Sequence, residues 1–185
     1  QLSLLFIYKS DMIKIALIGP ESTGKSSLSR LLSEHYNSPF VPDYAREYLE
    51  KAGSEYTFND VVAIAKKQIE DELFYEQPDN QTSDYVFIDT ELIITKVWFL
   101  YCYKEVPSIV TEQISKGFFD LYLLCAPDLP WEPDPLREHG DDREFFYDWY
   151  KKEIENSGKP YVVITGNGET RLNNAIEVRE RIVSE

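Results

Sequence analysis

The chain has 185 residues, of which 43% are hydrophobic and 28% are charged, a composition typical of a globular protein with one sizeable core. The formal net charge of −14 argues against nucleic acid as a main partner, because binding to a phosphate backbone needs a basic face. The apolar stretch 2–8 is far shorter than the ~18 residues of a membrane span and has no signal-peptide cleavage site, so we predict no membrane partner.

The start of the chain allows two interpretations. The single methionine, Met12, stands immediately before the first strong strand. We expect translation to begin naturally there, with residues 1–11 as an N-terminal extension and residues 12–185 as a single domain. The alternative is that residues 1–11 contain a genuine N-terminal strand.

Short apolar runs and helical periodicities alternate along the chain. Strands are predicted at Ile13–Ile18, 39–41, 85–88, Leu121–Cys125 and Tyr161–Ile164. Helices are predicted at 27–36, from a capping box at 57–60 through 73, at Leu92–Tyr103, from a Ser108 cap to 117, and after 168 as far as Val183. This alternation predicts an α/β fold in which helices cover both faces of a five-stranded parallel sheet.

One connection lacks any periodicity. Residues 128–142 are rich in proline, acidic residues and arginine. A connection of this length inside a compact domain is usually a functional lid or a disordered segment.

Residues 19–26 match the phosphate-binding pattern G-x-x-x-x-G-K-[ST], with a predicted strand before them and a helix after. The two glycines allow backbone N–H groups to close around phosphate oxygens, and the helix N-terminus adds positive charge. Lys25 is expected to reach the β- and γ-phosphates of ATP as a catalytic residue, and the Ser26 hydroxyl to ligate Mg²⁺. A chance glycine turn is the alternative. The predicted nucleotide-binding residues are Gly19, Pro20, Glu21, Ser22, Thr23, Gly24, Lys25, Ser26 and Ser27.

Asp89 comes directly off the third predicted strand, beside the expected nucleotide. An acid in this position can hold Mg²⁺ through water, so we predict Asp89 as a metal and catalytic residue. The alternative is that Asp89 caps a helix beginning at Glu91, and both roles are compatible.

Asp43 and Arg46 follow the second predicted strand. Because ligands of open α/β sheets bind outside the carboxyl ends of the strands, Asp43 is a candidate general base for an acceptor hydroxyl. Arg46 is a candidate for steadying the transferring phosphoryl group. The alternative is an aspartate cap followed by an Arg46–Glu50 ion pair on a helix surface.

Two arginines lie in or beside the irregular connection. A mobile segment carrying Arg137 can close on phosphates, exclude water and stabilise charge. For Arg143 this role and the alternative are equally favoured. The alternative is surface ion pairing with Asp134, Asp141 and Asp142.

Three other residues have plainer interpretations. Cys102 and Cys125 lie in apolar segments without metal-ligand spacing, which favours buried free thiols in a reducing cytoplasm over a disulfide. Trp98 and most tyrosines are expected in the core.

These motifs, in this order, resemble the ribosylnicotinamide kinase domain of the NadR family. The similarity rests on the first strand with its phosphate loop (15–26), on residues 44–47, on the Asp-Thr-Glu turn in 87–91, and on 131–137, which ends in Leu-Arg like the family's lid. It runs from about Ile13 to the C-terminus. The phosphate loop is common to many ATPases, whereas the ordered set of four motifs is much more specific.

The resemblance implies a P-loop NTPase fold of the nucleoside- or nucleotide-kinase kind, with an arginine-bearing lid. It also implies transfer of the γ-phosphoryl group of ATP to the 5′-hydroxyl of nicotinamide riboside, a step of NAD biosynthesis, and hence a small nucleoside-like acceptor as partner. The resemblance assigns nucleotide binding to Gly24, Lys25 and Ser26, a place near the acceptor hydroxyl and the metal to Asp43 and Asp89, and a lid position to Arg137.

The chain also departs from the family pattern. It is too short for the adenylyltransferase and DNA-binding regions of full-length members, so neither activity is expected. The aromatic residue that family members carry just before the acidic position is replaced here by Val41 and Pro42. Two alternatives therefore remain, a kinase for another nucleoside and an ATPase or ATP-sensing module. Candidates for the missing aromatic face are Tyr44, Tyr48, Tyr56 and Phe58.

Overall fold

A computed structural model describes residues 12–53, 55–137 and 140–183, so the two hypotheses about residues 1–11 lie outside the described residues. The five predicted strands are present and form one sheet in which every neighbouring pair is parallel. In chain order the strands are β1 (Ile13–Ile18), β2 (Phe40–Val41), β3 (Tyr85–Asp89), β4 (Leu121–Cys125) and β5 (Tyr161–Ile164).

The helices connect consecutive strands. They are α1 (Lys25–Tyr36), α2 (Tyr44–Ala52), α3 (Phe58–Glu76), α4 (Leu92–Tyr103), α5 (Ser108–Ser115), α6 (Arg143–Ser157) and α7 (Gly168–Val183). The spatial order of the strands is β2-β3-β1-β4-β5, which confirms the predicted α/β fold class.

The strands are nearly continuous apolar runs because both faces of the sheet are covered. Alternate residues of each strand pack on opposite sides, so Ala16 and Ile18 face the cluster that includes α4 and α6. Ile15 and Leu17 face the cluster that includes α1 and α7. A third cluster joins α3, α4 and α5. This double cover fixes the carboxyl ends of the strands, where the site lies.

Several predicted boundaries change. The capping box is confirmed, because Thr57 accepts a hydrogen bond from the Asp60 N–H and the Asp60 carboxylate accepts one from the Thr57 N–H. Helix α1 begins at Lys25, two residues earlier than predicted. The predicted Ser108 cap is wrong, since Pro107 occupies the N-cap and has no side chain that can accept a hydrogen bond there.

One helix was predicted only as an alternative, the one capped by Asp43, and another was not predicted at all. Helix α2 follows β2 directly, and α6 occupies the sequence after the irregular connection. Helix α6 buries Phe146, Tyr150 and Ile154 at helical spacing, but the exposed Phe145 beside them obscures this pattern in the sequence. Among the described residues no helix combines the length and apolar character needed to cross a membrane.

Candidate active site

The carboxyl ends of the strands open onto a cavity of about 500 Å³. Ligands of open α/β sheets bind at this edge. The phosphate loop, the N-terminal part of α2, one face of α4 and the segment after β4 all contribute to its wall. The cavity therefore brings together motifs that are more than 100 residues apart in the sequence.

The phosphate loop has the backbone that its glycines predict. Gly19 has φ 152°, and a Cβ at this position would stand 2.6 Å from the carbonyl oxygen of Cys125. Gly24 adopts the left-handed conformation at the N-cap of α1. The loop is fastened by Thr23, whose buried hydroxyl donates to the Pro20 carbonyl at 2.8 Å. The N-terminus of α1 thus faces the cavity with free backbone donors.

Lys25 and Ser26 stand at the start of α1. Lys25 Nζ donates to the Pro20 carbonyl at 2.8 Å, which keeps the ammonium over the loop and on the cavity wall. The Ser26 hydroxyl lies close enough to the Asp89 carboxylate to favour its ionised form and so lower its pKa. The structure therefore brings together the predicted phosphate-binding lysine, the serine and the strand-terminal aspartate.

Two carboxylates share this environment. Burial raises the pKa of Asp89, and Lys25 and the Ser26 hydroxyl oppose the shift. Burial and the like charge of Asp89 together raise the pKa of Asp43 to about 6, against the attraction of Lys25. Asp43 also caps α2 by accepting from the Ala45 N–H at 2.9 Å, so the capping alternative holds alongside its position in the site.

The capping alternative for Asp89 is wrong. Helix α4 begins at Leu92, and Glu91 is its N-cap, accepting from the Ile93 N–H at 2.8 Å. Thr90, between the two acids, has φ 64°, an unfavourable conformation for a β-branched residue. This turn directs Asp89 toward the phosphate loop and Glu91 into the helix terminus.

The donor set suits magnesium. Asp89 is 1% exposed, and its Oδ2 has no hydrogen-bond partner among the described residues. A hydroxyl and a carboxylate are hard oxygen ligands, and Mg²⁺ in phosphate-binding sites takes most of its other ligands from phosphates and water. Among the described residues no group of three or more His, Cys, Asp or Glu side chains could hold a metal alone, which agrees with such a site.

Arg46 lies on α2 and lines the cavity. The predicted alternative ion pair with Glu50 is present at 3.6 Å. A shorter ion pair, 2.9 Å, joins Arg46 to Asp134 in the connection after β4. Arg46 therefore links the acceptor side of the cavity to the irregular connection, and its role toward a phosphoryl group stays a prediction.

The connection after β4 rests on the phosphate loop. Arg137 donates to the Ser22 hydroxyl at 3.3 Å, and Ser22 also accepts from the Glu132 N–H at 2.9 Å. Arg143 donates to the Leu129 carbonyl at 2.9 Å. Both guanidinium groups lie about 6 Å from the ring centroid of Trp131. This arrangement puts two arginines beside the phosphate loop, and their action as a lid stays a prediction.

Aromatic side chains form the far wall of the cavity. Tyr56 and Trp98 meet edge to face with ring centroids 4.8 Å apart, and both line the cavity. Trp98 packs against the third core cluster, as expected, and in addition lines the cavity. Of the other candidates, Phe58 packs into the third core cluster and Tyr48 donates to Asp60, so Tyr56 is the candidate that faces the site.

Sequence reasoning missed Arg171. This residue lies on α7, is only 3% exposed and lines the cavity. Its sequence position, after a glycine-rich turn near the C-terminus, matches no motif, so no signal in a single sequence identifies it.

Comparison with known proteins places this geometry in a family. A family model described as an AAA domain matches residues 14–171. The trifunctional NAD biosynthesis/regulator protein NadR of Salmonella typhimurium is 31% identical over 144 residues, which are 71% of this chain and 33% of the relative. The chain thus spans about a third of the length of the curated relatives it matches.

Solved structures of NadR protein have the same fold. The complex with NR has a TM-score of 0.68 and 24% identity, covering 92% of this chain and 49% of that chain. The complex with NAD and AMP-PNP has a TM-score of 0.64 and 25% identity, with the same coverage. The resemblance to the NadR family stated from four sequence motifs is confirmed.

Proposed function

The chain belongs to this AAA domain family, and on that premise we propose that it is an ATP-dependent kinase that phosphorylates nicotinamide riboside to nicotinamide mononucleotide. One observation carries the proposal. Lys25 and Asp43 line one cavity with an aromatic wall, and Asp89 lies buried beside them at the end of β3, both carboxylates having a raised pKa. The relative named for NAD biosynthesis, the NR complex and the AMP-PNP complex support the choice of acceptor and donor.

Asp43 is the proposed general base. As the 5′-hydroxyl oxygen attacks the γ-phosphorus, its proton passes to the Asp43 carboxylate. The new O–P bond forms while the bond from the γ-phosphorus to the β,γ-bridging oxygen breaks, and ADP leaves. With a pKa of about 6, Asp43 is mostly ionised at neutral pH yet basic enough to take the proton.

The remaining charges stabilise the transferring group. Lys25 offsets negative charge on the β- and γ-phosphates. Ser26 and Asp89 would hold Mg²⁺, which neutralises phosphate charge when it is bound. Arg137 and Arg46 would close the cavity against water, which a kinase requires in order to suppress hydrolysis.

A cytoplasmic setting is part of the proposal. The reaction consumes ATP, and Cys102 and Cys125 are both free thiols; Cys125 is buried as predicted, whereas the prediction that Cys102 is buried is wrong. Free thiols persist in a reducing compartment.

A nucleoside panel tests the proposed function. The protein is incubated with ATP and Mg²⁺ and each of several nucleosides, and products are identified by mass spectrometry. We expect a mass gain of one phosphoryl group on nicotinamide riboside. Phosphorylation of another nucleoside alone would keep the kinase and exclude this acceptor, and steady ATP hydrolysis without any acceptor product would favour an ATPase.

The variant Asp43→Asn sharpens this test. Asparagine still caps α2 well, so the fold should be kept while the base is lost. We expect a fall in transfer of about 10²-fold or more with little change in ATP affinity. Undiminished transfer would exclude Asp43 as the base and leave Asp89 as the candidate.

A further inference from the structure

The sheet order divides the cavity into two sides. From the central strand β1, strands β3 and β2 lie on one side, where Asp89 ends β3 and Asp43 follows β2. Strands β4 and β5 lie on the other side of β1. Both proposed acceptor carboxylates lie on the β3 and β2 side. The base and ribose of the phosphate donor would therefore bind on the β4 and β5 side.

An ion pair between Arg171 and Asp128 connects the loops that follow β4 and β5. Arg171 donates to the Asp128 carboxylate at 2.7 Å, to the Gly166 carbonyl at 2.6 Å and to the Ala126 carbonyl at 2.9 Å. The Asp128 carboxylate in turn accepts from the Gly166 N–H at 2.7 Å. Hence one guanidinium and one carboxylate fix the loop after β4 against the loop after β5.

One nitrogen of the guanidinium takes part in none of these hydrogen bonds. The Arg171 side chain is 96% removed from solvent, yet its Nε has no hydrogen-bond partner among the described residues. That nitrogen lies 3.9 Å from the point where a Cβ on Gly24 would stand, beside the phosphate loop. The neighbouring thiol of Cys125, whose pKa is raised to about 11 by burial, stays protonated and is only a weak acceptor. A buried donor without a partner is costly, so a ligand oxygen at this point would be bound well.

We propose that Arg171 is a positioning residue for the nucleoside half of the phosphate donor. With Asp128 it fastens the two loops that flank the base to each other, and its Nε–H donates to an oxygen of the bound nucleotide next to Gly24. Leu129 also reaches Gly24, with its Cδ1 3.1 Å from the same Cβ point, and so supplies an apolar surface on this side. The inference rests on the proposed kinase only in requiring a nucleoside triphosphate as donor.

Calorimetric titration without any acceptor tests this role. The first variant is Arg171→Lys, which keeps the charge but cannot reproduce the planar fork or the Nε donor. The second is Asp128→Asn, which keeps the shape of the side chain but removes its charge. Asn174→Ala is the matched control, because Asn174 lies on the same helix and contacts the Thr165 carbonyl. Each protein is titrated with Mg²⁺-ADP and with inorganic pyrophosphate, which fills the phosphate loop without ribose or base.

For Arg171→Lys we expect ADP to bind about tenfold more weakly or worse, with pyrophosphate affinity within about twofold of the parent. Asp128→Asn should weaken ADP in the same selective way but less, and Asn174→Ala should change neither ligand. Equal weakening of both ligands would overturn the proposal, because Arg171 would then support only the phosphate loop. Unchanged ADP binding would overturn it as well.

Two features keep the test decisive. If Arg171→Lys fails to fold by circular dichroism, Asp128→Asn is judged by the same ratio of ADP to pyrophosphate affinities. Since no acceptor is present, a nucleoside panel that identifies a different acceptor or none leaves the result unaffected.

Discussion

At the scale of single residues, the site works through the competition of two carboxylates for one lysine. Two like charges raise each other's pKa, and a nearby cation lowers both. Asp89 is 1% exposed and lies near the Ser26 hydroxyl, which opposes the rise of its pKa, whereas Asp43 has a pKa of about 6. Their environments fit different roles, with Asp89 holding a metal and Asp43 accepting a proton.

Removing the lysine is the first prediction at this scale. Lys25→Ala should lower kcat/KM by about 10²- to 10⁴-fold, because the ammonium offsets phosphate charge in the transition state. Lys51→Ala is a suitable control, since Lys51 is an exposed helix lysine paired with Glu47. Steady-state kinetics and circular dichroism on the same samples check both variants. A rate for Lys25→Ala equal to the parent would disprove the phosphate-loop assignment.

The sequence predicted which residues belong to the site better than it predicted the contacts between them. Lys25 and Ser26 follow from fixed motif spacing, which the backbone of the loop enforces. Whether Asp43 was a cap or a base remained open, and the structure shows the cap in a side chain that also faces Asp89. Arg171 could not be found, because its importance depends on the meeting of two loops that only the folded sheet brings together.

At the scale of elements, buried glutamates join three helices behind the site. Glu91 caps α4, and Glu72 on α3 accepts from Gln113 of α5 at 2.8 Å. Burial raises the pKa of Glu91 to about 8 and that of Glu72 to about 7. The ordinary value for both is 4.5, so between about pH 4.5 and 8 the folded protein binds more protons than the unfolded chain.

Stability should therefore fall as pH rises through this window. We expect the free energy of unfolding of the parent to be lower at pH 8.5 than at pH 6, by on the order of 2 kcal/mol, and its Tm to be lower accordingly. Glu91→Gln keeps a cap oxygen but cannot ionise, so its Tm should be higher than that of the parent at pH 8.5 and less dependent on pH. The exposed change Glu112→Gln should follow the parent. A Glu91→Gln curve parallel to the parent would show that Glu91 does not titrate in this window.

The connection after β4 supplies the next prediction. Arg137 contacts Ser22 at the tip of the phosphate loop, so its loss should remove charge stabilisation and loosen closure. Arg137→Ala should lower kcat about tenfold or more, with a smaller effect on KM for ATP. Arg137→Lys should recover only part of the lost kcat, because an ammonium lacks the planar fork of a guanidinium. Initial rates at varied ATP concentration separate the effect on kcat from the effect on KM. A kcat equal to that of the parent would show that this segment is an ordinary surface loop.

The elements themselves were predictable where periodicity was clean. Buried strands such as Tyr85–Asp89 appear as short apolar runs, because helices cover both faces of the sheet. Helix α6 was missed because its exposed aromatic residues hide the buried stripe, and α2 was only an alternative because it buries no residue and so has no clear apolar stripe. The contacts that hold the irregular connection lack periodicity and were not predictable.

At the scale of the whole molecule, the strand order sets the proposed acceptor and donor sites on different sides of β1. The sequence predicted five parallel strands, but the order β2-β3-β1-β4-β5 depends on which crossovers pack together. That order puts the carboxylates and the Tyr56–Trp98 wall at the α2 and α4 side of the cavity, and Arg171 with Gly168 at the opposite side. Changes at the two sides should therefore affect acceptor and donor independently.

Trp98 provides the test of this separation. Nicotinamide riboside carries a cationic ring, which an aromatic face attracts by about 0.5–2 kcal/mol. Trp98→Leu should therefore raise KM for the riboside by about 3- to 30-fold and leave KM for ATP within about twofold. Trp98→Phe should recover part of the loss, because it keeps an aromatic face. Trp149→Leu is the control, since this half-buried tryptophan bonds to Glu153 on α6 and lies outside the cavity lining. Equal rises in both KM values would show that the cavity responds as one unit, and an unchanged riboside KM would exclude Trp98 from acceptor binding.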